Sequence, residues 1–386
     1  MKIAHVSDTH LGYVQYHLRE RKEDFFKAFK LVVDRVIEEG VDILVHSGDL
    51  FESYHPDVES LSFAIDQFKR LKEVGIEVVA ITGNHDRALR KGTAPPHKIL
   101  SQLGLLKLLD PFGELEVKGI YFAGFRYLPK RFLEAFREEN FHKFEERAKE
   151  RGASVLVLHQ AVDPFISYSG HHPDAYEVLA AKLPKGFSYY AAGHIHLFRK
   201  ERLHQGIFSY AGSTEFRNSS EAERGSRGFN IFNVDSKALE RIEIEGLRPF
   251  LVLNTDSERA HEEISELLER VKSEPIPPVV SITFRETGEP AEKFSELFRR
   301  IEEKALYLRV IKRTVAEESG DSDSREELNY SKAIEEFCKQ NNFPEKVRTL
   351  AVELLNHSSE DVEEIIRRYI KEELGELSPL IEKYGV

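Results

Sequence analysis

The chain has 386 residues, of which 41% are hydrophobic and 32% charged, with a formal net charge of −12; that length suits two or three domains and a sizeable core. No apolar run approaches the ~18 residues of a membrane span, and the opening residues break at His5 without a signal-peptide core, so no membrane association and a cytoplasmic location are expected. A lone cysteine, Cys338, excludes an internal disulfide framework and favours a reducing compartment. The acidity is uneven: residues 314–386 hold 9 Lys+Arg against 18 Asp+Glu, whereas residues 1–247 hold 34 against 36. A local basic groove for a polyanion is therefore compatible with the first two thirds.

In chain order, short β-rich runs fall at 2–7, 41–47, 77–82, 154–158 and 189–192, with helical patterns at about 19–39 and 57–74. After residue 198 the pattern changes to short strands near 199–204, 207–211, 228–234 and 239–245. Strands alternating with helices, then a run of strands, predict a layered α/β domain with mixed sheets over 1–247. From 248 to 313 a β-α-β-α-β pattern predicts a small satellite domain. Residues 314–330 are polar, acidic and aperiodic, a flexible linker. Beyond them, 331–386 carries amphipathic helical stripes such as Val347, Leu350, Ala351, Leu354 and Leu355. A segment this short buries such stripes poorly alone.

Five apolar runs each finish in a residue able to hold a metal. Ser-Asp-Thr-His places Asp8 and His10 at i and i+2, on one face of a strand end. Ser-Gly-Asp-Leu-Phe supplies Asp49, and Thr-Gly-Asn-His-Asp supplies Asn84 and His85. His159 closes Ser-Val-Leu-Val-Leu-His, and Gly-His-Ile-His repeats the i, i+2 device with His194 and His196. Any one pair is more often structural. Five at strand ends, where open α/β folds bind ligands, predict one shared site. Two Asp, one Asn and four His exceed the four ligands of a structural zinc. They suit two divalent ions about 3.5–4 Å apart, with Asp49 as the bridge. The nitrogen and oxygen donors favour Mn²⁺ or Fe²⁺ without excluding Zn²⁺ or Mg²⁺. His85, in the turn after Asn84, is a candidate proton donor to a leaving alkoxide.

These motifs, in this order, resemble the calcineurin-type metallophosphoesterase superfamily. More narrowly, Asp8-Thr-His-Leu-Gly-Tyr, Gly48-Asp-Leu-Phe, His159-Gln160, Gly193-His-Ile-His and Tyr210-Ala-Gly-Ser-Thr-Glu resemble the SbcD-type nucleases that process DNA double-strand breaks. The resemblance is strongest over 1–235. It implies a layered α/β metallophosphoesterase core with mixed sheets flanked by helices, a small α/β capping domain and a C-terminal helical segment. It also implies one ion held by Asp8, His10, Asp49 and His196, a second held by Asp49, Asn84, His159 and His194, and His85 as the catalytic acid. The implied activity is Mn²⁺-dependent cleavage of DNA, exonucleolytic from 3′ ends and endonucleolytic on single strands. Implied partners are a second copy, through segments near 57–72 and 95–104, and an SbcC-type, SMC-like coiled-coil ATPase bound by the C-terminal helices. One departure stands out: relatives often carry His after Gly-Asp-Leu-Phe, where this chain has Glu52, the nearest alternative being His55.

Other polar residues read more plainly. By alternation His5 and His46 lie on the strand faces opposite the ligands, as core residues or as groups that support the ligands from behind. His171 and His172 belong to a loop, and Gly212-Ser213 to a tight turn. Arg87, Arg90 and Lys91 follow the Asn-His-Asp turn and are candidates for phosphate contacts, with Arg126, Arg199 and Lys200 behind them. Two other functions compete: a small-molecule phosphodiesterase or phosphatase, for which the extra domain and tail have little use, and a non-catalytic scaffold, against which the intact ligand set argues.

Overall fold

The computed structural model describes residues 1–88, 93–166 and 176–314. Arg90, Lys91, His171, His172, the linker beyond residue 314 and the helical stripes with Cys338 lie outside the described residues. The chain divides into Met1–Lys312 and Arg313–Val386, and the description below concerns the first unit.

Two six-stranded mixed sheets form its centre. One runs, edge to edge, Ala238–Glu243, Gly228–Asn233, Lys2–Val6, Ile43–Ser47, Glu77–Ile81 and Lys107–Leu108; the other runs Arg199–Leu203, Gly206–Tyr210, Tyr189–Gly193, Ser154–His159, Ile120–Phe125 and Phe112–Val117. Parallel strands occupy the middle of each, and antiparallel strands lie towards one edge of the first sheet and both edges of the second. Ile3, Ile43, Val45, Val79 and Ile81 of the first sheet meet Phe122, Val155, Val157, Tyr189 and Ala191 of the second in one buried cluster. The alternate residues Ala4, Val6, Leu44 and Ala80 pack outward against Phe29, Val33 and Phe68 of helices Arg19–Glu38 and Val58–Glu73. Helix Lys130–Lys149 covers the other sheet through Leu133, Phe141 and Phe144. Strands covered on both faces become continuous apolar runs, which is why Ile-Leu-Val-His-Ser is buried at every position. The layers are helix, sheet, sheet, helix, in keeping with the layered α/β domain with mixed sheets that the alternating pattern predicts.

Strand pairs Phe112–Val117 and Ile120–Phe125 and helix Lys130–Lys149 fall where the sequence pattern indicated no element. The helix is mostly charged and buries only Leu133, Phe141, Phe144 and Ala148, too thin a stripe to stand out by periodicity. Near the C-terminal end of the unit, Phe250–Asp256, Val279–Glu286 and Tyr307–Thr314 form a separate three-stranded sheet. Helices Ala260–Ser273 and Ser295–Glu302 pack on it around Leu251, Ile264, Leu268, Ile282 and Phe284. It adjoins the larger sheets through the Arg248–Asp24 ion pair at 2.6 Å and the stacked rings of Tyr16 and Tyr307, 4.0 Å apart. No helix among the described residues is long and apolar enough to cross a membrane.

The two sheets approach closely at Gly193. A Cβ there would lie 2.3 Å from the Ser47 carbonyl oxygen and 2.7 Å from His159 Nδ1. Gly193→Ala is therefore expected to cost about 1–3 kcal/mol through overpacking, read as a lower denaturation midpoint in guanidinium titration. An unchanged midpoint would contradict this close approach.

Candidate metal centre

The carboxyl ends of the parallel strands in both sheets share one edge. Lys2–Val6 leads to Asp8 and His10, Ile43–Ser47 to Asp49, Glu77–Ile81 to Asn84, Ser154–His159 ends at His159, and Tyr189–Gly193 leads to His194. Gly193 pairs with His159 across the second sheet, so His159 and His194 emerge together. Asp8, His10, Asp49 and His194 have φ of +52°, +47°, +54° and +87°. Left-handed backbone is costly away from glycine, and here four of the seven expected ligand residues adopt it. Main-chain hydrogen bonds hold them: Asp8 N–H donates to Gly48 O and His10 N–H to Asp49 O, each at 3.1 Å. Sharp turns at these points aim side chains inward that a continuing strand would send to alternate faces.

All seven expected ligands converge. Around one point, His196 Nε2 lies 3.8 Å from Asp8 Oδ1 and 3.2 Å from His10 Nε2, and His10 Nε2 lies 3.8 Å from Asp49 Oδ2. Around a second, His159 Nε2 lies 3.3 Å from Asp49 Oδ2 and 3.1 Å from Asn84 Oδ1, which is 2.9 Å from His194 Nδ1. Donors about 2.1 Å from an octahedral ion sit about 3 Å apart along its edges. The spacing and the nitrogen and oxygen chemistry therefore fit two divalent ions, with Asp49 between them. His159 Nδ1 donates to the Ser47 carbonyl at 2.7 Å, which fixes its tautomer and turns the Nε2 lone pair into the site.

The charges are strongly coupled. Burial pushes the Asp8 carboxyl up, against the pull of His159 and His196. Burial also opposes ionisation of Asp49, but His159 and the neighbouring imidazoles outweigh it and hold that carboxyl well below the usual range. Burial lowers His159, yet Asp49 and Asp8 overcome it and raise the imidazole to about 9. A cation held there would compete with that proton for His159 Nε2. His5 and His46 lie where alternation put them: His5 sits between the sheets against Tyr189 Oη and Ser47 Oγ, pushed by burial to about 3, and His46 faces Thr9.

His85 lies at the rim, 30% exposed. Its N–H donates to Asp49 Oδ1 at 2.9 Å, its Nδ1 lies 3.1 Å from the Glu52 carbonyl oxygen, and its ring meets His10 edge-on at 4.9 Å. Asp86, the last residue of that motif, accepts N–H bonds from Gly83 and Phe51 and so ties two site-bearing turns together. Glu52 turns inward, its carboxylate 2.8 Å from both His10 Nδ1 and Arg217 Nη2. His55 is exposed and packs on Tyr54 instead. Arg87 lies over the Tyr127 ring, Arg126 faces Asp110, Arg199 pairs with Glu201, and Lys200 donates to the Leu239 carbonyl. Gly212, with φ +75°, forms the tight turn, and Ser213 N–H donates to His196 O.

Two residues of the site went unnoticed in the sequence. Glu221 Oε1 lies 2.8 Å from His196 Nδ1, and buried Arg227 braces Glu221 Oε2 at 3.3 Å. Asn218-x-x-Glu221 is legible only as a helix start, with Asn218 Oδ1 accepting the Glu221 N–H. The other is Arg217, whose guanidinium reaches His10 and Glu52.

Residues 1–198 match the family model described as calcineurin-like phosphoesterase. The chain is 36% identical over 289 residues to the DNA double-strand break repair protein Mre11 of Methanocaldococcus jannaschii, covering 72% of this chain and 75% of the relative. It is 32% identical over 399 residues to the protein of the same name from Saccharolobus solfataricus, covering 95% and 98% respectively. The namesake from Sulfurisphaera tokodaii is 32% identical over 387 residues, covering 97% and 96%.

Glu221→Gln removes the charge that steadies His196. Divalent-cation affinity is expected to fall about 10- to 100-fold, read by titration calorimetry; undiminished affinity would separate Glu221 from the metal centre.

Proposed function

The chain belongs to the calcineurin-like phosphoesterase family, and from that premise we propose that it is a Mn²⁺-dependent DNA nuclease, the cleaving subunit of a double-strand-break repair complex working inside the cell. The observation that carries the chemistry is the cage of seven donors at ion-coordination spacing. DNA as the substrate is supported by relatives named for break repair that match nearly the whole chain. The proposed actions are removal of nucleotides from 3′ ends and endonucleolytic cuts in single strands.

Asp8, His10, Asp49 and His196 would hold one cation, and Asp49, Asn84, His159 and His194 the other. When bound, the pair supplies Lewis acidity and charge neutralisation at a phosphodiester. The protein's own groups do the rest. Asp49, anchored by the His85 N–H, keeps the two halves of the cage in register. His85 is the proposed acid: its Nδ1 is engaged by the Glu52 carbonyl, so Nε2 is the nitrogen that passes a proton to the departing alkoxide. The 248–313 segment, joined to the nuclease part through Arg248 and Tyr307, is proposed to cap the site and grip DNA. The helical stripes in 331–386 are proposed to bind the coiled-coil base of an SbcC-type, SMC-like ATPase, and the segments near 57–72 and 95–104 to form a homodimer.

Labelled single- and double-stranded DNA incubated with Mn²⁺ tests the reading. Cleavage is expected for the wild type, and His85→Ala is expected to lose about 10²–10⁴-fold in rate with unchanged metal content by emission spectrometry. Loss of the metals as well would make His85 a ligand; hydrolysis of a small phosphodiester without cleavage of DNA would replace the nuclease by a small-molecule phosphodiesterase. A chain ending at residue 315 is expected to cut DNA and fail to retain the ATPase in a pull-down. Full retention would refute the role given to the tail.

A further inference from the structure

A cavity of about 490 Å³ opens beside His194 and His196, with Tyr13, Asn218 and Ser220 in its wall. Among the described residues lining it, Arg217 is the one arginine or lysine. Its main chain is pinned from both sides: the N–H donates to Glu221 Oε2 at 2.9 Å, and the carbonyl accepts from Gln15 Nε2 at 2.5 Å. The guanidinium itself is far less committed. Nη2 donates to Glu52 Oε1 at 2.8 Å, Nη1 lies 3.4 Å from His10 Nε2, and Nε has no acceptor. The group rests over the Tyr13 ring, 4.6 Å from its centroid. A guanidinium beside His10 repels any cation that His10 receives, which favours its turning outward into the cavity.

Carboxylate and phosphate are the two anions whose geometry a guanidinium fork matches. Glu52 holds the fork now, and its other oxygen lies against His10 Nδ1. An arriving phosphodiester competes with that carboxylate for the same donors, and the two anions repel. Resting on the nuclease reading above, we propose that Arg217 is a phosphate-binding residue of the site and that Glu52 is its stand-in anion, released when nucleic acid enters. Glu52 then acts as a brake on affinity: each binding event must break the Glu52–Arg217 pair before the phosphate reaches the guanidinium.

The test is the binding of a single-stranded oligonucleotide to the full-length protein without added metal, followed by fluorescence anisotropy across a salt series. Because R217Q removes the charge that neutralises one phosphate, it is expected to flatten the slope of log K against log salt by about 0.7 and to weaken binding about tenfold. R217K is expected to restore the slope. E52Q is expected to tighten binding, and the E52Q/R217Q double variant to lose that gain. In Mn²⁺-dependent cleavage R217Q is expected to raise KM with little change in kcat. A wild-type slope in R217Q, or a gain from E52Q that persists without Arg217, overturns the assignment and leaves the nuclease reading standing. An oligonucleotide that the wild type neither binds nor cuts overturns both.

Discussion

Two buried carboxylates, Asp8 and Asp49, sit within reach of one imidazole, His159, with almost no solvent around any of the three. In water such a cluster would disperse; here it is held, and most of the surrounding architecture serves to hold it. Removing an ion from water costs several kcal/mol even after relaxation, and only opposite charge at short range offsets that. The imidazoles outweigh burial at Asp49, whose carboxyl is held down, whereas at Asp8 burial prevails over them and the carboxyl is pushed up. Divalent cations held by these donors would complete the compensation. Of the left-handed turns at Asp8, His10, Asp49 and His194, those at Asp8 and His10 are held by main-chain hydrogen bonds to Gly48 and Asp49.

The part of this arrangement visible in the sequence is the part with local rules. A strand covered on both faces reads as an unbroken apolar run, so Ile43–Ser47 and Ser154–His159 could be found, and the polar residue that stops each run could be found with it. The i, i+2 pairs Asp8/His10 and His194/His196 follow from strand geometry up to the turn. Beyond that, legibility fails for physical reasons. Helix Lys130–Lys149 buries too few side chains to impose a period. Glu221 meets His196, and Arg217 meets Glu52, through contacts between segments far apart in the chain. Nothing in the residues flanking Glu221 distinguishes it from an ordinary helix-start glutamate.

The motif residues also divide differently in space than in the sequence. In Gly-Asn-His-Asp, Asn84 joins the donor cage, His85 stands at its rim, and Asp86 never faces the cage. Asp86 instead fastens the backbone of Gly83 and Phe51, keeping two turns at a fixed separation. Glu52 places a carboxylate at the rim, beside His10. Arg217 restores the balance there, and this chain's rim is consequently an ion pair that a ligand has to open.

Arg21, in the first turn of helix Arg19–Glu38, is buried against the loop that carries Arg217. Its guanidinium meets Asp24 at 2.6 Å, Glu215 at 3.2 Å and the Phe216 carbonyl at 2.9 Å, while Arg248 shares the Asp24 carboxylate. A buried cation cannot release one of these acceptors without stranding charge in a dry interior. The knot therefore behaves as a rigid coupling: a force that shifts the three-stranded sheet through Arg248 drags on residues 215 and 216, next in sequence to Arg217. Together with the Phe216–Phe250 ring contact, the knot ties the three-stranded sheet to the loop that carries Arg217.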